Sequence, residues 1–190
     1  MQVRELDIPG VKLIGPPERH GDERGWFSEH YSARVHAAAG LDHAWVQDNL
    51  SFSRTPGTIL GLHFQPPPSA QAKLVSVLAG AVLDVVVDIR RGSPTYGRHL
   101  AVELSAADGR QLLAPRGVAH GLCTLEPDTL VHYKVDGFYD RERDLGLAWD
   151  DPDLGVAWPA FAGAVVSDKD RRQPRLSELP DWFPAGGGWS

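Results

Sequence analysis

Three side chains capable of acid–base chemistry lie inside apolar segments of this 190-residue sequence. His63 occurs in TILGLHF, Lys73 opens KLVSVLAG, and Tyr133 occurs in TLVHYKVD. A lysine is almost never buried without a partner, so Lys73 is expected to face an anionic or electron-rich group. A histidine can exchange a proton near neutral pH, and a lysine can stabilise an oxyanion. Considered together with His120, these residues are harder to explain as ordinary core residues than any one of them is alone.

Each of these residues also has a purely structural interpretation. His63 alone could be a strand histidine that is hydrogen-bonded in a core. Tyr133 could be a core tyrosine whose hydroxyl lies at the rim. Asp170, in the segment SDKD, could form a capping box with Ser167. The functional interpretation therefore depends on several of these groups meeting in one place.

The segments that carry these residues have the pattern of short β-strands. HLAVELS and TLVHYKVD alternate apolar and polar positions, and turn residues separate the runs WVQDNLSFS, TILGLHF, KLVSVLAG, AVLDVVVDI and RQLLAP. This spacing predicts an all-β sandwich or barrel. Alternation places Lys73 on one face with Val75 and Val77. One short helix is predicted in SARVHAAAG, between a Ser32 cap and a Gly40 stop, and a further helix start is indicated near SDKDRR.

The length and composition limit the number of domains and the compartment. A chain of 190 residues favours a single domain over 1–190, and the ending PAGGGWS predicts a flexible tail from about residue 184. The single cysteine, Cys123, cannot form an intramolecular disulfide. We expect it to be a small buried hydrophobe in a reducing, cytoplasmic compartment.

The charge pattern argues against a nucleic-acid or membrane partner. Lys and Arg number 19 against 25 Asp and Glu, a net charge of −6, and no run of basic residues could follow a phosphate backbone. The first residues, MQVRELDIPG, lack the apolar region of a signal peptide. The most apolar stretch, LAGAVLDVVVDI, is too short to span a membrane and is interrupted by Asp84 and Asp88.

The segment GRQLLAPRGVAHG resembles the second motif of the cupin superfamily of jelly-roll barrels. Pro115 and Gly117 suit a tight turn between strands, after which His120 would point into the lumen. The first cupin motif usually supplies His, a second His and a Glu as metal ligands. Here His63 fits, but Gln65 replaces the second His, and Ser69 or Ala70 stands where the Glu would be. Two imidazoles alone make a poor divalent site, so no metal is predicted.

A longer series of motifs resembles the dTDP-4-dehydrorhamnose 3,5-epimerase family. In order, the sequence contains DERGWFSE, QDNLSFS, GLHFQPPPSAQAKLVSVLAGAVLDVVVDIRRGSPTYG, VELSAADGRQLLAPRGVAHG, YKVDGFYDRERDLGLAWDDPDLGVAWP and SDKD. The match runs from about Arg24 to Asp170. The resemblance implies a cupin-type jelly roll, a homodimer, no cofactor, and a dTDP-linked 4-keto-6-deoxy sugar as ligand.

The resemblance also implies roles for individual residues. His63 would be the base that removes a proton beside the C4 ketone, oriented by Asp170, and Tyr133 would return a proton from the opposite face. Lys73, expected on a strand neighbouring that of His63 and across the lumen from Tyr133, would stabilise the oxyanion at O4. The implied ligand contacts, to the nucleotide diphosphate, its sugar or the pocket wall, are Arg24, Phe27, Glu29, Gln47, Asn49, His120, Tyr139 and Lys169.

One position departs from the family pattern. The family usually has an arginine, which binds the pyrophosphate, immediately before Gly-Leu-His, and this chain has Leu60. Gly61 could mark a bulge that turns position 60 inward. Leu60 keeps open a catalytically silent or regulatory sugar-nucleotide binder. Activity at C3 or C5 alone, a different nucleotide sugar, and a metal cupin such as a dioxygenase also stay open, the last disfavoured by Gln65.

Overall fold

The structure, a computed structural model, describes residues 1–161, 164–185 and 187. Within these ranges the chain consists mainly of short strands joined by turns. The strands are β1 Val3–Glu5, β2 Lys12–Ile14, β3 His20–Asp22, β4 Gly25–Phe27, β5 Gln47–Ser53, β6 Thr58–Phe64, β7 Lys73–Ala79, β8 Ala81–Asp88, β9 His99–Ser105, β10 Gln111–Ala114, β11 Val118–Thr124, β12 Thr129–Val135, β13 Leu145–Gly146 and β14 Val165–Val166. The helical elements are the α-helix α1 Ala33–Ala38 and 3₁₀ turns at Arg141–Arg143, Asp170–Arg172 and Leu176–Glu178.

The strands form two large sheets and one small hairpin. The first sheet has the order β1-β2-β10-β7-β12-β5. The second has the order β13-β6-β11-β8-β9, with β14 pairing beside β6. Strands β3 and β4 form the hairpin. Because consecutive strands such as β6 and β7 belong to different sheets, the chain crosses repeatedly between the two layers, and the fold is the predicted cupin-type jelly roll.

The two sheets enclose an apolar core, called the lumen cluster below. Val75 and Val77 from the first sheet pack with Val82 and Val86 from the second. The other members are Ile8, Val11, Leu13, Leu104, Leu112, Ala114, Val118, Leu122 and Val131. Since side chains alternate along a strand, any residue in step with these valines also faces the lumen. This rule assigns the polar residues of the same strands to the inner or the outer face.

Strand β6 is irregular at Gly61, whose φ is +109°. Its pairing with β11 shifts there, so that Leu60 lies opposite Leu122 while His63 lies opposite His120. Two residues of β6 therefore stand against one residue of β11, which is a β-bulge. Because of the bulge, Leu60 and His63 share one side although they are three residues apart. Leu60 packs against the lumen cluster, and the inward turn expected at position 60 is confirmed.

Most element boundaries follow the sequence patterns. TILGLHF is β6 and HLAVELS is β9, residue for residue. The helix predicted in SARVHAAAG forms as α1, but the Ser32 side chain makes no capping hydrogen bond, and the start expected near SDKDRR is only a 3₁₀ turn. In the described ranges no helix is long and apolar enough to cross a membrane. Of the tail predicted from about residue 184, residues 186 and 188–190 lie outside the described residues.

Candidate active site

His63 and Asp170 form a close pair at the inner face of the second sheet. The distance between His63 Nε2 and Asp170 Oδ1 is 2.6 Å. The aspartate is buried, with 3% of its side chain exposed, whereas 30% of the histidine side chain is accessible. A carboxylate only accepts hydrogen bonds, so a neutral His63 carries its proton on Nε2 and keeps the Nδ1 lone pair free. The pair thus has the form of an oriented general base.

Asp170 combines this contact with a capping interaction. Its backbone N–H donates to Ser167 Oγ over 3.1 Å, as the structural interpretation of SDKD predicts. Its carboxylate bonds His63 and, over 3.4 Å, also accepts from the backbone N–H of Gly61. Burial is the largest single influence and opposes ionisation, but the hydrogen bond and charge of His63 together with the hydrogen bonds of Ser167 and Gly61 outweigh it and keep the pKa of Asp170 below its usual value. The cap positions a carboxylate that stays charged beside the histidine.

A second histidine–aspartate pair lies on the neighbouring strands. His120 Nε2 is 2.6 Å from Asp84 Oδ1, and the side chains are 8% and 0% exposed. Asp84 is in step with Val82 and Val86 of the lumen cluster, so it faces the lumen. His120 is the direct cross-strand partner of His63, which places both rings on that same side.

Lys73 and Tyr133 lie on the facing sheet. Lys73 is in step with Val75 and Val77, and Tyr133 packs against the lumen cluster. Lys73 Nζ reaches across to donate to the carbonyl oxygen of His63 over 3.3 Å.

Two expectations about their relative placement are wrong. Tyr133 and Lys73 are not across the lumen from each other, because β7 and β12 are adjacent strands of one sheet. His63 and Lys73 are not on neighbouring strands, since β6 and β7 belong to different sheets. The lysine and the tyrosine therefore share one wall and His63 lies on the other.

The surroundings shift the proton affinity of both groups. Burial lowers the pKa of Lys73 to about 8, while the charges of Asp144 and Asp84 act in the opposite direction and Lys169 adds to the lowering. Burial also raises the pKa of Tyr133, and Asp144 contributes to that rise. At neutral pH the wall of the first sheet thus presents a mostly protonated amine beside a protonated phenol.

Further polar side chains gather at the mouth of this lumen. On β5, Asn49 lies opposite Tyr133, and the Gln47 side-chain N–H donates to Asn49 Oδ1 over 2.7 Å. The backbone N–H of Tyr139 donates to Gln47 Oε1 over 3.1 Å, and the Tyr139 hydroxyl donates to Asp144 Oδ2 over 3.1 Å. The ammonium of Lys169 also contacts Asp144. These contacts join four of the eight residues implied as ligand contacts into one network, in which Asp144 links Tyr139 to Lys169. The four residues are Gln47, Asn49, Tyr139 and Lys169.

Three other residues implied as ligand contacts lie elsewhere. Arg24 and Phe27 are on the β3–β4 hairpin and are mostly exposed, at 85% of the Arg24 side chain and 71% of Phe27. Phe27 and Glu29 line a cavity of about 710 Å³ that also includes His30. His30 bonds Ser76, which alternates with the inward valines of β7. The cavity therefore lies on the outer face of the sheet whose inner face carries Lys73.

Gln65, which stands where cupins usually have their second metal-binding histidine, has a structural role in this chain. Its amide N–H groups donate to the carbonyl oxygens of Ser69 and Phe138, and its Oε1 accepts from the backbone N–H of Asp140. The side chain fastens two loops together instead of pointing into the lumen. Among the described residues, no group of three or more His, Cys, Asp or Glu side chains is placed to hold a metal ion.

Two carboxylates of this region were missed in the sequence. Asp144 stands in the charged loop DRERD, where nothing distinguishes it from its neighbours. Asp84 left a signal, since it interrupts the apolar strand AVLDVVVDI in step with Val82 and Val86. A carboxylate buried in a valine face is costly unless it has a partner, and that pattern could have indicated an inward acid facing His120.

The fold is a jelly roll whose lumen brings His63, Lys73 and Tyr133 together on facing walls. The chain belongs to the dTDP-4-dehydrorhamnose 3,5-epimerase family, a family of carbohydrate isomerases, whose model matches residues 5–178. It is 49% identical over 183 residues to the dTDP-4-dehydrorhamnose 3,5-epimerase of Sinorhizobium fredii, covering 96% of this chain and 93% of that protein.

Solved structures agree with this assignment. The dTDP-4-dehydrorhamnose 3,5-epimerase of Bacillus anthracis, with TDP and PPi bound, superposes with a TM-score of 0.88 at 46% identity, over 92% of this chain and 98% of that one. The dTDP-6-deoxy-D-glucose-3,5-epimerase of Legionella pneumophila, in complex with dTDP-4-keto-L-rhamnose, gives a TM-score of 0.90 at 38% identity, over 96% and 97% of the two chains.

Proposed function

We propose that this chain epimerises a dTDP-linked 4-keto-6-deoxyhexose at C3, at C5 or at both, in deoxysugar biosynthesis of the rhamnose type. One observation carries the proposal: a histidine–aspartate base on one wall of the lumen faces a lysine and a tyrosine on the other. Inversion of a carbon requires a base and an acid on opposite faces of the sugar ring. His63 and Tyr133, on opposite sheets, meet that requirement for a ring held between them.

The proposed first step is removal of a C–H proton beside the ketone. His63 Nδ1 takes the proton, the electrons of the C–H bond form a carbon–carbon double bond, and the charge moves to O4. Asp170 stabilises the imidazolium that results. The ammonium of Lys73 stabilises the charge on O4. The ketone itself supplies the acidity of the neighbouring C–H bonds, so the reaction requires no cofactor.

The second proposed step returns a proton to the other face. Tyr133 donates its hydroxyl proton to the enolate carbon and the C4 carbonyl re-forms. The tyrosinate is then reprotonated from solvent, and the His63 imidazolium returns its proton to solvent. Burial raises the pKa of Tyr133, so the phenol holds the proton that this step requires across the neutral range. C3 and C5 both adjoin C4, so the same groups can serve either carbon. His120 and the four residues at the mouth would hold the sugar and the nucleotide.

Proton NMR in deuterated water tests the proposal directly. With dTDP-4-keto-6-deoxyglucose as substrate, we expect the wild-type protein to replace H3, H5 or both with deuterium and to change the configuration of the exchanged carbon. Retention of both protons, with dTDP still bound, would favour the alternative of a silent sugar-nucleotide binder. The observation behind that alternative is Leu60, which places an apolar side chain at the lumen.

We further propose a cytoplasmic homodimer in which the hairpin serves the partner's site. Arg24, Phe27 and Glu29 lie on the outer side of the first sheet, away from Lys73 of their own chain, although the family resemblance implies that they contact ligand. The same outer face exposes Leu50 and Phe52. Contact between two such faces would cover these side chains and could bring each hairpin to the other lumen.

Mixed dimers test this arrangement. We expect light scattering to give twice the chain mass. A variant lacking the base, His63→Asn, mixed and re-associated with a hairpin variant, Arg24→Ala, should regain activity, because one of the two sites then has both its base and its arginine. A monomeric mass, or mixtures no more active than the separate variants, would show that each chain is complete by itself.

A further inference from the structure

Strand β8 carries two buried aspartates with different surroundings. Asp88 is saturated by partners: its carboxylate accepts from the side chains of Arg90, Ser93 and Thr95. Asp84, four residues earlier, has 0% exposure and the His120 ring as its hydrogen-bond partner. The other oxygen, Asp84 Oδ2, is buried with no hydrogen-bond partner among the described residues. Asp88 thus has the surroundings of a structural carboxylate, whereas the charge of Asp84 lacks a cationic partner of that kind.

Asp84 lies where its charge acts on the reacting region. Val82 and Val86, on either side of it in the strand alternation, pack in the lumen cluster with Val75, the residue in step with Lys73. Burial lowers the pKa of Lys73 to about 8, and the negative charges of Asp144 and Asp84 oppose this lowering. Several charged or titratable groups surround Lys73. They are Asp84 on β8, His63 on β6, Tyr133 on β12, Asp144 after the 3₁₀ turn Arg141–Arg143, and Lys169, which precedes Asp170.

We propose that Asp84 is a positioning residue for the epimerisation, which holds the His120 ring with Nε2 protonated and supplies, with Asp144, the negative charge that keeps Lys73 in its ammonium form. This inference rests on the proposed function. A neutral His120 must donate from Nε2, because the carboxylate can only accept, and its Nδ1 is then an acceptor. An uncharged lysine would stabilise an oxyanion less than an ammonium does. Loss of the Asp84 charge should therefore lower the pKa of Lys73 and reduce the reaction rate first at alkaline pH.

The test compares Asp84→Asn and Asp84→Glu with the wild type in the pH dependence of sugar-proton exchange. The wild-type rate should fall as the pH rises through about 8, where Lys73 loses its proton. In Asp84→Asn that fall should move to lower pH by roughly one unit, the scale on which a neighbouring opposite charge shifts a pKa. Asp84→Glu, which keeps the charge, should return the fall toward its wild-type position. Asp108→Asn, a surface change beside Arg110, should leave it unmoved.

Two further measurements separate the possible outcomes. Nitrogen-15 NMR of the wild-type imidazoles should show His120 protonated on Nε2, and the Nδ1–H form would overturn the proposal whether or not any variant folds. If Asp84→Asn lowers the melting temperature but leaves the alkaline fall in place, Asp84 is merely structural and the proposal is wrong. A wild-type protein without sugar-proton exchange would refute the proposed function instead, while the imidazole measurement would still decide the His120 part.

Discussion

The two histidine–aspartate pairs of the lumen have the same bond and different surroundings. Both have Nε2–Oδ1 distances of 2.6 Å, and the two histidines are direct cross-strand partners. The first, His63–Asp170, joins β6 to a 3₁₀ turn 107 residues later in the chain. The second, His120–Asp84, joins two adjacent strands of one sheet. The chain has thus built the same acid–base unit twice, once across the fold and once within a sheet.

Access distinguishes the roles that the two pairs can take. The His63 side chain is 30% exposed, so a ligand can reach its free nitrogen, whereas His120 is 8% exposed. The carboxylate of Asp170 also accepts from the backbone N–H of Gly61, while Asp84 Oδ2 has no hydrogen-bond partner among the described residues. A base must touch the substrate, but a buried pair can act through its charge. The hydrogen-bond geometry of the two pairs is the same, but their exposure differs. The exposed pair therefore suits a catalytic role and the buried pair suits a positioning role.

The largest expected effect is the loss of the open base. His63→Asn should reduce sugar-proton exchange by about 10²- to 10⁴-fold, the usual contribution of a general base. His120→Asn should cost less, because this ring is not the proposed proton acceptor. Exchange of H3 and H5 in deuterated water measures both variants in one assay. Near-normal turnover of His63→Asn, or a greater loss in His120→Asn, would reverse the roles assigned to the two pairs.

Removal of the Tyr133 hydroxyl tests which side chain of the first sheet returns the proton. Tyr133→Phe should slow inversion by about 10²- to 10⁴-fold, as for loss of a general acid. It should retain exchange of at least one sugar proton, because His63 still removes it. The ratio of exchange to inversion is the measurement. If inversion proceeds normally in Tyr133→Phe, another group on that side returns the proton, and Lys73, on the same wall as Tyr133, becomes the first candidate.

Lys73 faces the two pairs from the other sheet, and its replacement should have the next largest effect. Lys73→Met keeps the apolar stem but removes the ammonium, and loss of one oxyanion donor costs roughly 10²- to 10³-fold in rate. Since the pKa of Lys73 is about 8, the wild-type rate should fall above that pH and the residual rate of the variant should not. Lys12→Met on β2 is a matched control for the loss of a lysine. A variant with normal rate and an unchanged alkaline fall would show that Lys73 does not stabilise the oxyanion.

The contrast between the pairs also shows which parts of the site a sequence can reveal. Strand alternation is local, so the inward faces of Lys73 and Tyr133 could be predicted from the valines beside them. The sheet to which each strand belongs depends on pairing partners that are distant in the sequence. For that reason the predicted relative placement of Lys73, Tyr133 and His63 was wrong. The family motif predicted the contact between His63 and Asp170, which no local pattern reveals.

Other features of the site depend on contacts between distant parts of the chain, so local sequence patterns could not reveal them. Asp84 was visible as a carboxylate in an apolar strand, but its partner His120 is 36 residues away in sequence. Asp144 had no local signal, because its importance comes from a loop that returns over the lumen. The outward position of the hairpin with Arg24 depends on which face of the first sheet it covers, and the alternation of β3 and β4 does not specify that face.

The smallest expected effect concerns Leu60, on the same strand as the open base. If the ligand is a dTDP-sugar in the pose usual for the family, Leu60→Arg should restore a contact to the diphosphate. A hydrogen bond that involves a charged group contributes about 1.5–3 kcal/mol, which corresponds to roughly 10- to 150-fold tighter binding of dTDP. The bulge already turns position 60 toward the lumen, so the new guanidinium would start from an inward-facing backbone.

Calorimetric titration with dTDP at two salt concentrations measures this gain. Added salt should erode it, because part of the new attraction is between charges that solvent ions can screen. Leu60→Met is the matched control, since it changes the shape of the side chain without adding charge and should leave dTDP affinity close to the wild-type value. Unchanged or weaker dTDP binding in Leu60→Arg would mean that the phosphates lie away from this strand or that dTDP is not the carrier. In either case, the open pair of this chain would serve a sugar whose nucleotide is held differently from that of the family.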